Sequence, residues 1–204
     1  MRKIALAAAL IILAVGPALA QTPPPDGTPT RIRGTVEKLD GQNLTVKSRD
    51  GQALTIELAG NVTVITLVKK SVADIKAGDY VASTGVKGTD GKIHAVEVRI
   101  FPEAARGTGE GQYPWDLMPD SVMTNATVGK VDQAPQGPVL HVTFKGTESE
   151  YTVGPDVPVL ANGPGDIDLL KPGVAVFVIA LKHEDGKLTS ARLYAEKDGV
   201  KPPM

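Results

Sequence analysis

Apolar and polar residues alternate along much of the chain with a period of two. In residues 31–39, Ile32, Gly34 and Val36 fall on one face, and Arg33, Thr35 and Glu37 on the other. Leu44 and Val46 share a face in the next stretch. Leu54, Ile56 and Leu58 do so in the one after, with Thr55 and Glu57 opposite. Successive side chains on a strand point to opposite faces, so this pattern predicts half-buried strands. Asp40-Gly41, Asp50-Gly51 and Asp90-Gly91 stand between such stretches, where glycine accepts the positive φ of a tight turn. Residues 62–64, 80–86 and 93–100 read as further strands. Residues 71–76 alone read as a helical turn, with Ser71 at the N-cap.

The same plan occurs twice. Thr35-Val36-Glu37-Lys38-Leu39-Asp40 recurs as Thr127-Val128-Gly129-Lys130-Val131-Asp132, and Leu44-Thr45-Val46 as Leu140-His141-Val142. Asp74-Ile75-Lys76-Ala77-Gly78-Asp79-Tyr80-Val81 matches Leu169-Leu170-Lys171-Pro172-Gly173-Val174-Ala175-Val176, and Asp90-Gly91-Lys92-Ile93 matches Asp185-Gly186-Lys187-Leu188. Order is kept along the chain, and an insertion around residues 133–138 accounts for most of the drift in offset. Self-similarity of this kind predicts a duplication: repeat one at 31–101, repeat two at 124–195, a linker at 102–123 and a tail at 196–204. Five or six short strands and one helical turn per repeat predict an all-β protein of two tandem OB-like barrels. Closure removes exposed strand edges. A unit of this size buries only about 60% of its unfolded surface, so the repeats are expected to pack on each other.

Composition narrows the function classes. The 204 residues include 22 Gly, 16 Pro and no Cys. Disulfide scaffolds, Cys-ligated zinc and Cys nucleophiles are therefore excluded. Lys and Arg number 22 against 23 Asp and Glu, with a pI near 6.3, which argues against a nucleic-acid partner held by bulk charge. Met1-Arg2-Lys3, the apolar run 4–15, the Gly16-Pro17 break and Ala18-Leu19-Ala20 follow the order of a secretory signal peptide over residues 1–20. With no Cys after the cleavage site, a lipoprotein anchor is not expected. Residues 21–30, rich in Pro, read as a disordered leader. The longest later apolar run, residues 174–181, suits a buried strand and is too short to span a bilayer. The expectation is a soluble periplasmic or secreted protein with no membrane span in the mature chain.

The turn and strand motifs carry a resemblance. Gly34-Thr35-Val36, Lys76-Ala77-Gly78-Asp79-Tyr80-Val81 and Asp90-Gly91-Lys92-Ile93 resemble a bacterial family of exported proteins with a domain of unknown function, built of one or more small OB-like barrels. Repeat two departs from the pattern: Asn125-Ala126 replaces Arg33-Gly34, and Pro172-Gly173-Val174 replaces Ala77-Gly78-Asp79. Some members are labelled metal transporter permeases. The resemblance therefore implies an accessory role beside such a transporter, since a permease needs membrane spans.

Candidate chemistry is sparse. By strand parity His94 shares a face with Val96, Val98 and Ile100. With Met118 or Met123 it could serve a soft metal, and otherwise it is a partly buried histidine satisfied by hydrogen bonds. Asp166 with Asp168, and Glu148 with Glu150, lack the ordered oxygens of a calcium loop and read as solvated acidic turns. No GxSxG elbow exists. Gly107-Thr108-Gly109-Glu110-Gly111 lacks the Lys-Ser/Thr ending of a phosphate loop. The linker holds the single Trp, Trp115, beside Tyr113, Asp116, Leu117 and the two methionines. Either Trp115 and Leu117 plug the groove between barrels, or Tyr113, Trp115 and Asp116 border a ligand or partner site. Aromatics are too few for a single-strand stacking platform. The sequence therefore points to a non-enzymatic binding or interaction module of the cell envelope, without cofactor. Its partner is an envelope protein or small ligand, contacted through Tyr113, Trp115, Asp116 and His94. A periplasmic metal-handling accessory is the alternative.

Overall fold

The computed structural model describes residues 26–203; the signal-peptide reading and residues 21–25 of the leader lie outside the described residues, while residues 28–30, expected to be disordered, begin the first strand and pair with residues 180–182. Twelve strands follow in order: β1 (Thr28–Asp40), β2 (Asn43–Ser48), β3 (Ala53–Lys70), β4 (Tyr80–Lys87), β5 (Ile93–Ile100), β6 (Gly111–Pro114), β7 (Ser121–Asp132), β8 (Val139–Phe144), β9 (Thr147–Thr152), β10 (Val159–Pro164), β11 (Ala175–Lys182) and β12 (Leu188–Ala195). Three 3₁₀ turns, Val72–Asp74, Glu103–Ala105 and Ile167–Leu169, interrupt them. The all-β class expected from the period-two pattern is what the chain adopts. Among the described residues no helix is long and apolar enough to cross a membrane.

The strands close into barrels. β1, β2 and β3 form an antiparallel meander. β3 then pairs in parallel with β12, β12 antiparallel with β11, and β11 antiparallel with β1, closing a ring of five. A second ring follows the same plan: β7, β8 and β9 form the meander, β9 pairs in parallel with β5, β5 with β4, and β4 with β7. Each ring surrounds its own apolar core. Leu44, Val46, Ile56, Val176, Val178 and Leu193 fill the first, and Val81, Val98, Val128, Leu140, Val142 and Tyr151 the second.

The ring membership corrects the expected boundaries. Neither 31–101 nor 124–195 closes a barrel of its own, because the hairpin β11–β12 completes the ring of β1–β3 and the hairpin β4–β5 that of β7–β9. The cause is β3, a continuous strand of 18 residues. At roughly 3.3 Å per residue it is far longer than a small barrel is wide. Its end, residues 65–70, leaves the first barrel and pairs antiparallel with β10. β10 also pairs in parallel with β5. The chain is thus delivered at Ser71 into the second barrel, and β10 carries it back.

Identical joints fix the exchanged hairpins. Val36 N–H donates to Val174 O and Gly173 N–H to Val36 O, both at 2.9 Å. Val128 N–H donates to Asp79 O and Gly78 N–H to Val128 O, both at 2.8 Å. Gly78 and Gly173 sit at φ 92° and 93°, where a Cβ is strained. The repeated Lys-x-Gly motif is therefore the joint by which each half of the chain docks onto the other. A bulge follows each joint, between Val36 and Lys38 and between Val128 and Lys130.

A further bulge changes the reading of β5. Thr84 pairs with Glu97 and Gly85 with Ala95, so Val96 is skipped. A one-residue insertion inverts the facing of everything beyond it. Ile93, Ala95, Val98 and Ile100 pack on the core, and His94 lies on the opposite face rather than with Val98 and Ile100.

Two outcomes are expected. The fragment 26–101, lacking β11 and β12, should associate into a dimer that exchanges β4–β5 between copies. Sedimentation at micromolar concentration checks this, and a stable folded monomer would show that each half can close its own barrel. Gly34→Ala places a Cβ 2.2 Å from Lys47 O and 2.7 Å from a Val46 methyl, so it should destabilise by about 1–3 kcal/mol and lower Tm measurably. The second barrel carries buried Ala126 between the corresponding strands.

Candidate functional site

The two barrels meet along rows of residues set side by side by strand register. In the first barrel the row runs Arg33, Phe177, Tyr194, Ile65 across β1, β11, β12 and β3. In the second it runs Asn125, Ala82, Arg99, Leu160 across β7, β4, β5 and β10. Each member occupies the corresponding place in its barrel, yet only the Ile65 and Leu160 pair is chemically alike. Phe177 and Ala82, at matched places in the two rows, both border the seam. A cavity of about 290 Å³ lies there, lined by Phe177, Tyr194, Ala82, Arg99 and Asn125 together with linker residues Tyr113 and Trp115.

The linker is a strap across both rows. β6 adds to the edge of β7. Asn125 Nδ2 donates to Thr108 O at 3.0 Å and to the Tyr113 hydroxyl at 3.3 Å. Arg33, 4% exposed, donates through Nη1 and Nη2 to both oxygens of Asp116 at 2.8 and 3.0 Å, and through Nε to Pro203 O at 3.1 Å. The linker thus pairs the buried Arg33 guanidinium and the Asn125 amide nitrogen, and a buried arginine needs this because an unpaired charge in an apolar setting is costly. Burial alone would raise the Asp116 carboxyl, but its hydrogen bonds to Arg33 and the charges of Arg33 and Arg31 outweigh that and hold it below the usual carboxylate range.

Trp115 lies within this strap. Its ring meets Phe177 edge-on at 6.4 Å and Tyr113 at 6.1 Å, and the Arg31 guanidinium stands 4.1 Å over its face. Phe177 stacks on Tyr194 at 5.9 Å, and the Arg99 guanidinium lies 4.9 Å from the Tyr194 ring. The cavity is thus walled by aromatic faces, with arginines Arg31, Arg99 and Arg192 in its lining and no carboxylate among the lining residues. Burial pushes the Tyr113 phenol up from its ordinary value. Nearby Tyr80, whose hydroxyl donates to Thr108 O at 3.1 Å, is pushed up by burial to about 12.

Three buried polar atoms at this cavity lack a hydrogen-bond partner in the protein: Arg99 Nε, Trp115 Nε1 and Asn125 Oδ1. Arg99 and Asn125 are 8% and 6% exposed. Buried polar groups are almost always paired, and an unmade bond costs about 1–3 kcal/mol. Three residues of one cavity wall thus each hold a buried polar atom that the protein leaves unpaired.

Of the residues singled out from sequence, Tyr113, Trp115 and Met123 line the cavity, and Asp116 lies outside the lining, bonded to Arg33. His94 does not line it either. Its Nε2 lies 3.1 Å from both Asp90 oxygens within the β4–β5 hairpin. Met118 is 42% exposed and borders a different depression with Leu117. Among the described residues no group of three or more His, Asp and Glu is placed to hold a metal ion. Glu150 Oε1 lies 3.0 Å from His141 Nδ1, and Asp166 accepts from Asp168 N–H at 2.9 Å at the start of a 3₁₀ turn. Thr108, in the glycine-rich loop, supplies the carbonyl that holds Tyr80 and Asn125.

Sequence reasoning did not single out Arg99, Phe177, Tyr194 and Ala82. A signal was present, however. Aligning the two halves sets Arg33 against Asn125, Phe177 against Ala82 and Tyr194 against Arg99, and these substitutions of unlike chemistry at matched strand positions mark the cavity. A larger, more open depression of about 670 Å³ lies where β3 and β12 part, lined by Gln42, Glu57 and Ser190 among others. None of its residues carries an unpaired buried polar atom.

No family model, curated protein or solved structure matches the chain.

The Arg33–Asp116 clamp should be visible in the pH dependence of stability. A carboxyl whose folded pKa is lowered contributes stability that is complete above its unfolded value, about 3.9, and is lost as pH falls through the folded value. Asp116→Asn should therefore lower Tm at pH 7, and the gap to the parent should narrow below about pH 4. Thermal melts of both proteins from pH 7 to pH 2 check this. A gap independent of pH would mean that the charge of Asp116 is immaterial.

Proposed function

We propose that this chain is an exported, non-enzymatic binding module of the bacterial cell envelope, and that the cavity between its barrels is the ligand site. The carrying observation is the set of unpaired buried atoms on Arg99, Trp115 and Asn125 around one cavity. Aromatic faces, guanidinium groups and an amide are recognition chemistry. Among the lining residues none is paired as nucleophile with base, which favours binding over turnover.

The fold history proposed with it is a duplication of an OB-like unit whose halves exchanged their last hairpins. The recurring motifs, the identical docking joints and the matched rows support it. The resemblance to exported proteins built of repeated OB-like barrels fits this reading, and the order of residues 1–20 supports export to the periplasm or beyond. On this view the exchange created the seam between barrels. Divergence at Arg33/Asn125, Phe177/Ala82 and Tyr194/Arg99 then turned a symmetric seam into an asymmetric pocket.

The test uses the single Trp. Trp115 borders the cavity, so its emission should change when the full chain meets the low-molecular-mass fraction of an envelope extract. Ala82→Phe, which restores the large residue of the matching row, should fill the cavity and abolish the response while leaving Tm within a few degrees. An identical response in both proteins would place binding elsewhere.

A further inference from the structure

Resting on the cavity as the ligand site, we infer that its ligand is a small aromatic carboxylate carrying a hydroxyl or N–H donor.

The charge of the site selects an anion. Four arginines stand at or beside the cavity, and two of them are committed. Arg33 is held bidentately by Asp116, and Arg99 Nη2 donates to buried Glu97 at 2.7 Å. Arg31 reaches Asp116 only at 3.8 Å, an acceptor already taken by Arg33. Arg192 makes no ion pair among the described residues. The lining therefore has positive charge to spare, and Arg99 and Trp115 each hold a donor, Nε and Nε1, buried in the wall with no acceptor in the protein. A carboxylate supplies two such atoms and the compensating charge, and charge-assisted hydrogen bonds of this kind are the strong ones.

The walls select the body. Trp115, Phe177 and Tyr194 present ring faces and edges, and Met123 and Ile179 add apolar surface. At about 290 Å³ the cavity lies at the small end of ligand pockets and suits a single ring better than a fused or chain-like molecule. The remaining unpaired atom, Asn125 Oδ1, is an acceptor, since Nδ2 of the same amide donates to Thr108 O and the Tyr113 hydroxyl. It asks for a donor on the ligand. Charge, apolar ring and one donor together define the class, and each can be removed from the probe separately.

The experiment titrates the full chain, by Trp115 emission and by calorimetry, with 4-hydroxybenzoate, benzoate and 4-hydroxybenzyl alcohol at neutral pH. The expected result is a 4-hydroxybenzoate Kd on the order of 100 μM or tighter. Removing the donor (benzoate) should weaken binding roughly three- to tenfold, and removing the carboxylate (4-hydroxybenzyl alcohol) roughly tenfold or more. Arg192→Gln changes an exposed residue and should fold normally while weakening both carboxylates several-fold. Ala82→Phe should abolish all binding. Equal or tighter binding of the alcohol would overturn the assignment, as would carboxylate binding that survives Ala82→Phe or no carboxylate binding at millimolar concentration. If the carboxylates fail while envelope extract still shifts Trp115 emission in an Ala82→Phe-sensitive way, the ligand class falls and the binding site stands. Silence in both experiments overturns the site as well.

Discussion

Everything else in this molecule depends on where β3 ends. A strand of 18 residues cannot stay within one five-stranded ring, so its last residues must find a partner outside. They find β10, and the antiparallel pairing of residues 65–70 with residues 159–164 becomes the spine on which both barrels hang. From that pairing the exchange of hairpins follows, because the chain leaving Lys70 is already beside the second barrel. The joints at Gly78 and Gly173 then follow too, since each hairpin must be anchored to a first strand from the other half. The barrels are therefore not two domains joined by a tether. Neither core can form without strands from both halves, and unfolding of one should entail unfolding of the other.

Such an arrangement sets a burial problem at the seam, which the linker solves. β1 and β7 present Arg33 and Asn125 side-on to the meeting of the barrels, where both become almost fully buried. Burying a guanidinium without a counter-charge costs several kcal/mol. Asp116 removes that cost for Arg33, and Thr108 with Tyr113 does the same for the Asn125 amide nitrogen. Trp115 is carried between these two anchors and is held against Phe177 by its neighbours' bonds. Its backbone N–H donates to Ser121 O at 2.8 Å, and the Ser121 hydroxyl donates to Trp115 O at 2.9 Å. Trp115 thus packs across the seam against Phe177 and lines the cavity beside it.

How much of this could be read from the residues follows physical lines. Strand positions were legible because alternation is local: Ile32, Val36, Leu44, Val46, Ile56 and Leu58 all lie in the first core as their spacing implies. The turn glycines were legible because positive φ is a single-residue requirement. Ring membership was not, since pairing partners are non-local and no residue of β3 announces whether the next hairpin folds back or crosses over. His94 was misplaced for a related reason. One skipped residue, Val96, inverts strand parity, and a bulge leaves no mark in an alternation count. Tyr113, Trp115 and Asp116 stand out in the sequence because their composition is unusual for a linker. Their partners Arg99, Phe177 and Tyr194 sit in ordinary strand sequence and become conspicuous only when the two halves are compared position by position.

That comparison also explains why the unpaired atoms fall where they do. In a seam between two equal rows, each polar group would meet its own counterpart, and a residue able to satisfy itself across the axis would be sufficient. Here the rows differ, so Arg99 lies over the ring of Tyr194 and finds no acceptor there for its Nε. Ala82 stands in the place matched by Phe177 and leaves volume instead of contact. An apolar void of this size would cost stability and could be removed by one larger side chain. Three residues of its wall, Arg99, Trp115 and Asn125, keep a buried polar atom that the protein leaves unpaired, which fits the proposed ligand site. The crossing of the two hairpins makes the seam, and the difference between its two rows makes the cavity.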